Sequence, residues 1–372
     1  MTRAYLDHAS ISPLRRVARA AILEWLDVTG DPGRVHTEGR LVRAALEDAR
    51  EHVAALFGAR PREVVFTSGA TEAINAACFG AAQRTPGGTF VAAAVEHSAV
   101  RDASARHGEV RVPSVDGAGR ISLDAMRDAL TGEVALAHCQ WANHEVGTAQ
   151  PVEAVLALAR DSGVLLHVDA AAAAGHEPIA FDALGIDLMS ISAPKLGGPV
   201  GTGALLVRRG LRLDPLLVGG DQERARRAGL ENVAAAIGFG AACAEISDLL
   251  ETESAIARRQ TEALLTEAIA VDDVVAYGDP VERVPHIVCV GVDGVESEAI
   301  LLGLDQAGIA AHSGSACSSE ALEPSPVLEA MGVDAQRSLR LSVGWSTSSG
   351  DINAFTAAFG GVVGKLRALG TQ

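Results

Sequence analysis

The sequence predicts an α/β fold in which a mostly parallel sheet is covered on both faces by helices and is followed by a smaller α+β unit. Three observations predict it. From about residue 60 onward, short apolar runs alternate with amphipathic segments, the pattern of repeated strand–helix units. Aromatic residues make up only 3% while alanine and glycine abound, which suits helices packed close against a sheet. After Gly229 the alternation gives way to a long helical stretch over 232–269 with few breakers, which leads out of the first unit.

The elements follow in order. Val64-Val65-Phe66-Thr67 reads as a strand, and 71–82 as the helix after it. Further strands are expected at 90–95, 133–138, 164–169, 188–192 and 203–207, with helices at 98–106 and 152–161. Past residue 271, a strand at 286–292 and a helix at 297–307 belong to the smaller unit. The expected division is a large domain over 16–250, with 1–15 and 251–372 forming the small one.

At 372 residues the chain can form two units that share a deep cleft. With 48% apolar and 21% charged residues it reads as a folded globular protein. A net charge of −16 without a long basic run argues against a nucleic-acid surface. The first residues show no basic segment followed by an apolar core, and no uninterrupted run of about 18 apolar residues occurs, so neither a secretory signal nor a membrane span is expected. The cysteines Cys78, Cys139, Cys243, Cys289 and Cys317 are odd in number and lack Cys-x-x-Cys spacing. That fits a cytoplasmic protein and disfavours a disulfide framework or a metal site.

The chemistry is concentrated in a few places. Lys195 lies in Ser192-Ala193-Pro194-Lys195-Leu196-Gly197-Gly198-Pro199, directly after an apolar run. A lysine in a turn of small residues behind a buried strand is where a Schiff-base lysine is expected. The alternative, a surface lysine in a turn, is disfavoured by that apolar strand. Upstream, another strand ends in Val168-Asp169. Together they offer an amine for an aldehyde and a carboxylate for a pyridinium nitrogen, the two groups that a pyridoxal 5'-phosphate (PLP) site needs most. The competing account of Asp169 is a helix cap before Ala170-Ala171-Ala172.

Ser68-Gly69-Ala70-Thr71-Glu72 follows a strand and opens a helix, so free N–H groups, a glycine and the Thr71 hydroxyl could hold a phosphate. An ordinary strand–turn–helix with Ser68 as N-cap fits equally well. His97, after Glu96, suits ring stacking and proton shuttling, or capping of the helix it begins. Cys317 sits in Ser313-Gly314-Ser315-Ala316-Cys317-Ser318-Ser319-Glu320, too hydrophilic for a core, and reads as an exposed nucleophile. The other four cysteines lie in apolar or helical contexts, where packing accounts for them. Arg340, in Leu339-Arg340-Leu341, suits bidentate capture of an α-carboxylate, and a surface arginine on an alternating strand fits as well.

Tyr5-Leu6-Asp7-His8-Ala9, Phe66 through Glu72, Glu96-His97, Asn143-His144-Glu145-Val146-Gly147, His167-Val168-Asp169-Ala170, Ser313 through Cys317 and Leu322-Glu323-Pro324-Ser325 resemble, in order and spacing, one known family. It is the cysteine desulfurases of the NifS/IscS-like type, PLP enzymes among the class V aminotransferases, and the resemblance covers nearly the whole chain. It implies fold type I with a mostly parallel seven-stranded sheet in the large domain, and a homodimer with active sites near the subunit interface. The implied activity is a sulfurtransferase reaction in which L-cysteine yields L-alanine and an enzyme-bound persulfide. An acceptor protein, such as an iron–sulfur scaffold or a thiolation enzyme, then takes the sulfur. An aminotransferase or C–S β-lyase of the same fold is the alternative; either needs the lysine but no mobile thiol.

Position by position, the resemblance implies Lys195 as the Schiff-base lysine and Cys317 as the persulfide-forming nucleophile. It implies His97 as the ring-stacking histidine, Asp169 as the ring-nitrogen partner and Arg340 as the substrate-carboxylate arginine. Ala70, Thr71 and Ser192 match phosphate-binding positions. Four positions depart. Pro194 replaces a histidine before the lysine, Ala172 a glutamine, and Leu230 a threonine that reaches the phosphate from the neighbouring subunit. His144 replaces an asparagine that meets the cofactor's phenolic oxygen.

Overall fold

The computed structural model describes residues 3–313 and 324–370. The chain opens with β1 (Ala4–Tyr5), α1 (Arg16–Trp25) and α2 (Thr37–Leu56). β2 (Val64–Thr67), α3 (Ala70–Arg84), β3 (Thr89–Val91), α4 (Ser98–His107), β4 (Val110–Arg111), α5 (Leu123–Ala129), β5 (Val134–Gln140) and α6 (Val152–Asp161) follow. β6 (Leu166–Asp169), α7 (Phe181–Leu184), β7 (Leu188–Ser192) and β8 (Gly203–Val207) complete the main sheet. α8 (Gln222–Ala225) and α9 (Val233–Ile269) lead to β9 (Val274–Tyr277), β10 (Ile287–Val292), α10 (Ser297–Gln306) and β11 (Ile309–Ala310). Then come α11 (Pro326–Ala330), β12 (Ser338–Ser342) and α12 (Ser349–Gly370).

The main sheet has seven strands in the order β2-β8-β7-β6-β5-β3-β4. All neighbours pair parallel except β8, which runs antiparallel to both β2 and β7. This topology decides where a ligand can sit. The carboxyl ends of β2, β5, β6 and β7 share one edge, and the start of β8 joins them because β8 is reversed. Parallel sheets bind ligands at that edge. β5 and β6 are buried along their whole length, as strands covered on both faces must be.

Two features differ from the sequence expectation. The apolar run at 90–95 leaves the ladder after Val91, because the Glu96 N–H bonds the Ala93 carbonyl and turns the chain over β5. The run stays apolar because Ala92, Ala93 and Val95 remain in the core. The second feature is α9, part of which is long and apolar enough to match a membrane span by composition. Packing accounts for that: Phe239, Ala242, Cys243 and Ile246 are buried, and α9 lies against α1 and α2. A Cβ at Gly240 would stand 2.6 Å from Ala49 Cα, so the two backbones nearly touch where α9 crosses α2.

A three-stranded antiparallel sheet, β12-β10-β9, and the parallel pair β1–β11 form a separate set. Their own core contains Leu6, Leu264, Val290, Leu304, Leu341, Phe355 and Phe359. β1 reaches this set although it begins the chain, through Ala4↔Ile309 and Tyr5↔Ala310 pairing.

One buried ion pair ties α2 to the start of the main sheet. Arg50 donates to both carboxylate oxygens of Glu223, at 2.6 and 2.7 Å, and to the Val64 carbonyl at 3.0 Å. Glu223 also accepts the Phe66 N–H at 2.9 Å. Removing one partner from such a pair strands the other charge without water. Arg50→Met is expected to lower unfolding stability by about 3–5 kcal/mol, while Arg50→Met/Glu223→Gln recovers most of it. Urea titration of the three proteins checks this.

Candidate active site

At the carboxyl edge, five chain segments converge on one cavity. The first is the loop after β2. Gly69 precedes α3, and the first-turn N–H groups of Ala70 and Thr71 have no acceptor within the helix. Glu72 braces the loop by accepting the Ser68 N–H at 2.8 Å and pairing with Arg227 at 2.9 Å. Burial would raise the Glu72 carboxyl, but the hydrogen bonds from Arg227 and Ser68 outweigh it and hold it below the usual range.

The second segment carries His97, the N-cap of α4. Its Nδ1 accepts the Ala99 N–H at 3.1 Å, which leaves Nε2 to carry the proton of the neutral ring. The capping reading of His97 holds, and the residue also lines the cavity. The third segment, after β5, brings Gln140 and His144. The His144 ring meets His97 edge-on at 5.1 Å. Burial, then the neighbouring His97, Lys195 and Arg340, push His144 well below the ordinary histidine range, so it is neutral at pH 7.

Asp169 ends β6 and is buried. Its Oδ1 accepts from Ser190 Oγ at 2.9 Å and from the Ala171 N–H at 3.0 Å. The segment after it is a turn and no helix, so the helix-cap reading of Asp169 is overturned and its carboxylate lines the cavity. Lys195 follows β7 in a single 3-10 turn that ends at Gly197, whose φ of +85° suits glycine. Arg15 clamps this turn through Nε to the Leu196 carbonyl at 3.0 Å, and is itself held by Glu245 and Glu253. Behind the turn, His176 and His286 stack at 3.5 Å, and His176 bonds the Lys195 backbone. Burial pushes His176 down to about 3, so no imidazolium competes with the lysine there.

Of the residues singled out by sequence, Ala70, Thr71, His97, His144, Asp169, Ser192 and Lys195 line the same cavity. It measures about 230 Å³, room for more than one water, and several polar side chains line it. Arg340 lies just behind this wall. It is 1% exposed, so the surface-arginine reading is overturned. It donates to the His144 carbonyl at 2.9 Å, Asp7 Oδ1 at 2.8 Å and Ser10 Oγ at 2.7 Å. Cys317 lies outside the described residues. The four described cysteines are all buried, and no cluster of metal-ligating side chains occurs among the described residues.

The Aminotransferase class-V family profile matches residues 4–355. The chain belongs to the class-V aminotransferase family. A cysteine desulfurase from Trichormus azollae is 39% identical over 99% of this chain and 95% of that protein. A solved NifS-like protein superposes with a TM-score of 0.91 at 26% identity, covering 98% of this chain and 100% of the other. The structure of SspA in complex with cysteine superposes with a TM-score of 0.81 at 27% identity, over 92% and 99% of the two chains. The seven-stranded sheet with its smaller α+β set is thus the fold type I architecture.

Within this class-V chain, two site residues escaped the sequence reasoning. Thr202 completes the cavity wall beside Ser192. Glu96 lies one strand from Asp169: its Oε1 accepts the Gln140 N–H at 2.7 Å, and Gln140 pairs with Asp169 in the sheet. Glu96 Oε2 is buried with no partner among the described residues. Burial first, and then the charge of Asp169, raise Glu96 to about 8, against weaker opposition from the Gln140 N–H and Arg101. Glu96 was visible only as the neighbour of His97.

The sign of its effect on stability follows. A carboxyl whose folded pKa is raised binds its proton more tightly when folded, so its contribution is complete below the unfolded value and lost as pH rises toward 8. Glu96→Gln removes this titration. The stability of the variant relative to the unsubstituted protein is expected to rise by about 1.4 kcal/mol per pH unit across that window. Unfolding measured at pH 5, 7 and 9 checks it; a constant difference would show that Glu96 is ionised throughout.

Proposed function

We propose that this chain is a PLP-dependent cysteine desulfurase that takes sulfur from L-cysteine, releases L-alanine and passes the sulfur to an acceptor protein through a persulfide on Cys317. The observation that carries this reading is one cavity walled by Lys195, Asp169 and the start of α3, in a chain 39% identical to a cysteine desulfurase. The residues fit PLP: an amine, a carboxylate, the first-turn N–H groups of α3 and several hydroxyls line one cavity. When bound, PLP would supply an electron sink for charge at the substrate α-carbon.

The chain's own groups divide the remaining work. Lys195 would hold the cofactor and is the base placed to move the substrate α-proton. Asp169 would keep the ring nitrogen protonated. His97 would face the ring, and neutral His144 would supply a hydrogen-bonding ring nitrogen to it. Ala70, Thr71 and Ser192 would hold the phosphate. Arg340 would receive the substrate carboxylate; its Nε is buried without a partner among the described residues, on a guanidinium whose Nη1 bonds the His144 carbonyl. The Cys317 thiolate then bonds the substrate sulfur, the Cβ–S bond breaks, and its electron pair stays with carbon, which takes a proton to become the methyl group of alanine.

The same reading includes a homodimer, a cytoplasmic location, no nucleic-acid or membrane partner, and an iron–sulfur scaffold or thiolation enzyme as acceptor. It divides the chain into a large unit over 16–250 and a small one of 1–15 with 251–372. The test supplies PLP and L-cysteine under reductant and analyses products. Alanine and sulfide are expected, with an added sulfur on Cys317 by mass spectrometry. Cys317→Ala is expected to abolish alanine formation while keeping the visible band of bound PLP. Lys195→Ala is expected to lower turnover by about 10²–10⁴-fold or more. Pyruvate and ammonia in place of alanine would identify a β-lyase, and a protein that stays colourless with PLP would overturn the reading.

A further inference from the structure

We propose that the Thr202 hydroxyl is a phosphate ligand supplied from within the same chain, a positioning residue that fixes the cofactor at the start of α3. The inference rests on the PLP reading above and deepens it. Thr202 is 3% exposed, and its Oγ1 is buried without a hydrogen-bond partner among the described residues, although the residue forms part of the cavity wall. A buried hydroxyl left unpaired is unfavourable, and native structures keep one only where a ligand, water or function uses it.

Its position is fixed by the backbone. The Thr202 carbonyl accepts the Ala193 N–H at 3.1 Å, tying it to the turn that carries Lys195. The next residue, Gly203, pairs with Thr67 of β2 and with Ser192 of β7. A Cβ on Gly203 would lie 2.7 Å from Gly69 Cα, so this strand start presses directly on the loop that opens α3. Thr202 therefore lines the same cavity as Ser192, Ala70 and Thr71, next to the strand start that presses on the α3 loop. No arginine lines the cavity, and Lys195 is its one cationic side chain among the described residues. A phosphate dianion there must be held mainly by neutral donors, so each hydroxyl carries more of the binding.

The experiment titrates apo-protein with PLP and, separately, with pyridoxal, which has the aldehyde and ring but no phosphate. Thr202→Val keeps the shape and removes the hydroxyl; Thr202→Ser restores it. Thr202→Val is expected to weaken PLP binding by about 10- to 100-fold, as for a hydrogen bond to a charged group, and to change pyridoxal binding by less than about twofold. Thr202→Ser should stay close to the unsubstituted protein. Apo Thr202→Val should be at least as stable to heat as the unsubstituted apo-protein, because no hydrogen bond is lost without the ligand. Unchanged PLP affinity overturns the proposal, as does an equal loss for PLP and pyridoxal, or a Thr202→Val and Thr202→Ala pair that both fail to fold. Failure of the unsubstituted protein to bind PLP would instead overturn the cofactor reading itself.

Discussion

The site depends on one backbone contact, the approach of Gly203 to Gly69. A side chain at Gly203 would need to occupy space 2.5 Å from the Ile191 carbonyl as well as 2.7 Å from Gly69 Cα. Without side chains there, the reversed strand β8 inserts between β2 and β7 and brings its first residue to the edge where the parallel strands end. The start of α3, the end of β7 and the start of β8 thus become one wall. An ordinary parallel strand in that place would have delivered its carboxyl end instead, and Thr202 would lie on the far side of the sheet.

Burial then sets the charges inside that frame. His144 and His286 are pushed well below the ordinary range, and His8 to about 4, chiefly because their rings are out of water. Glu96 moves the other way for the same reason. Desolvation penalises whichever form is charged, so it neutralises bases and acids alike. His144 in the cavity wall and His176 behind the Lys195 turn are thereby kept uncharged at neutral pH. Arg15 escapes this neutralisation because the carboxylates of Glu245 and Glu253 meet it at hydrogen-bond distance.

Much of this frame was legible in the sequence, for a physical reason. β2, β7, β8 and α6 begin and end where their apolar runs meet small or polar residues, so local pattern located them. Asp169 and Lys195 were legible because each stands directly at or after such a strand end. Legibility failed where apolarity had another cause. Ala92 to Val95 are core residues outside the ladder, and pattern alone extended β3 through them. α1 and α2 precede the strand–helix alternation, and α2 shows its buried stripe of Val42, Leu46, Ala49 and Val53 only against α9. Thr202 and Glu96 were invisible because what marks them is an oxygen without a partner, a property of the whole packed structure. Arg340 could not be told from a surface residue because its carboxylate, Asp7, lies at the opposite end of the chain.

The departures from the family pattern can be weighed on the same geometry. Pro194 has no N–H to give, yet its carbonyl accepts the Ser12 N–H at 3.0 Å, and its fixed φ favours the tight turn that presents Lys195. The substitution therefore exchanges a side-chain contact for a stiffer support of the same lysine. His144, held neutral, has one ring nitrogen that donates and one that accepts, so it keeps the hydrogen-bonding versatility of the amide it replaces. Ala172 offers only a methyl group to the cavity, and Leu230, 64% exposed, offers no hydroxyl. On the proposed PLP reading, His144 and the turn would answer the losses at the ring, whereas at the phosphate the Thr202 hydroxyl, unpaired among the described residues, would answer the lost threonine hydroxyl. Cofactor retention on that reading would turn on the phosphate, where one hydroxyl would replace another.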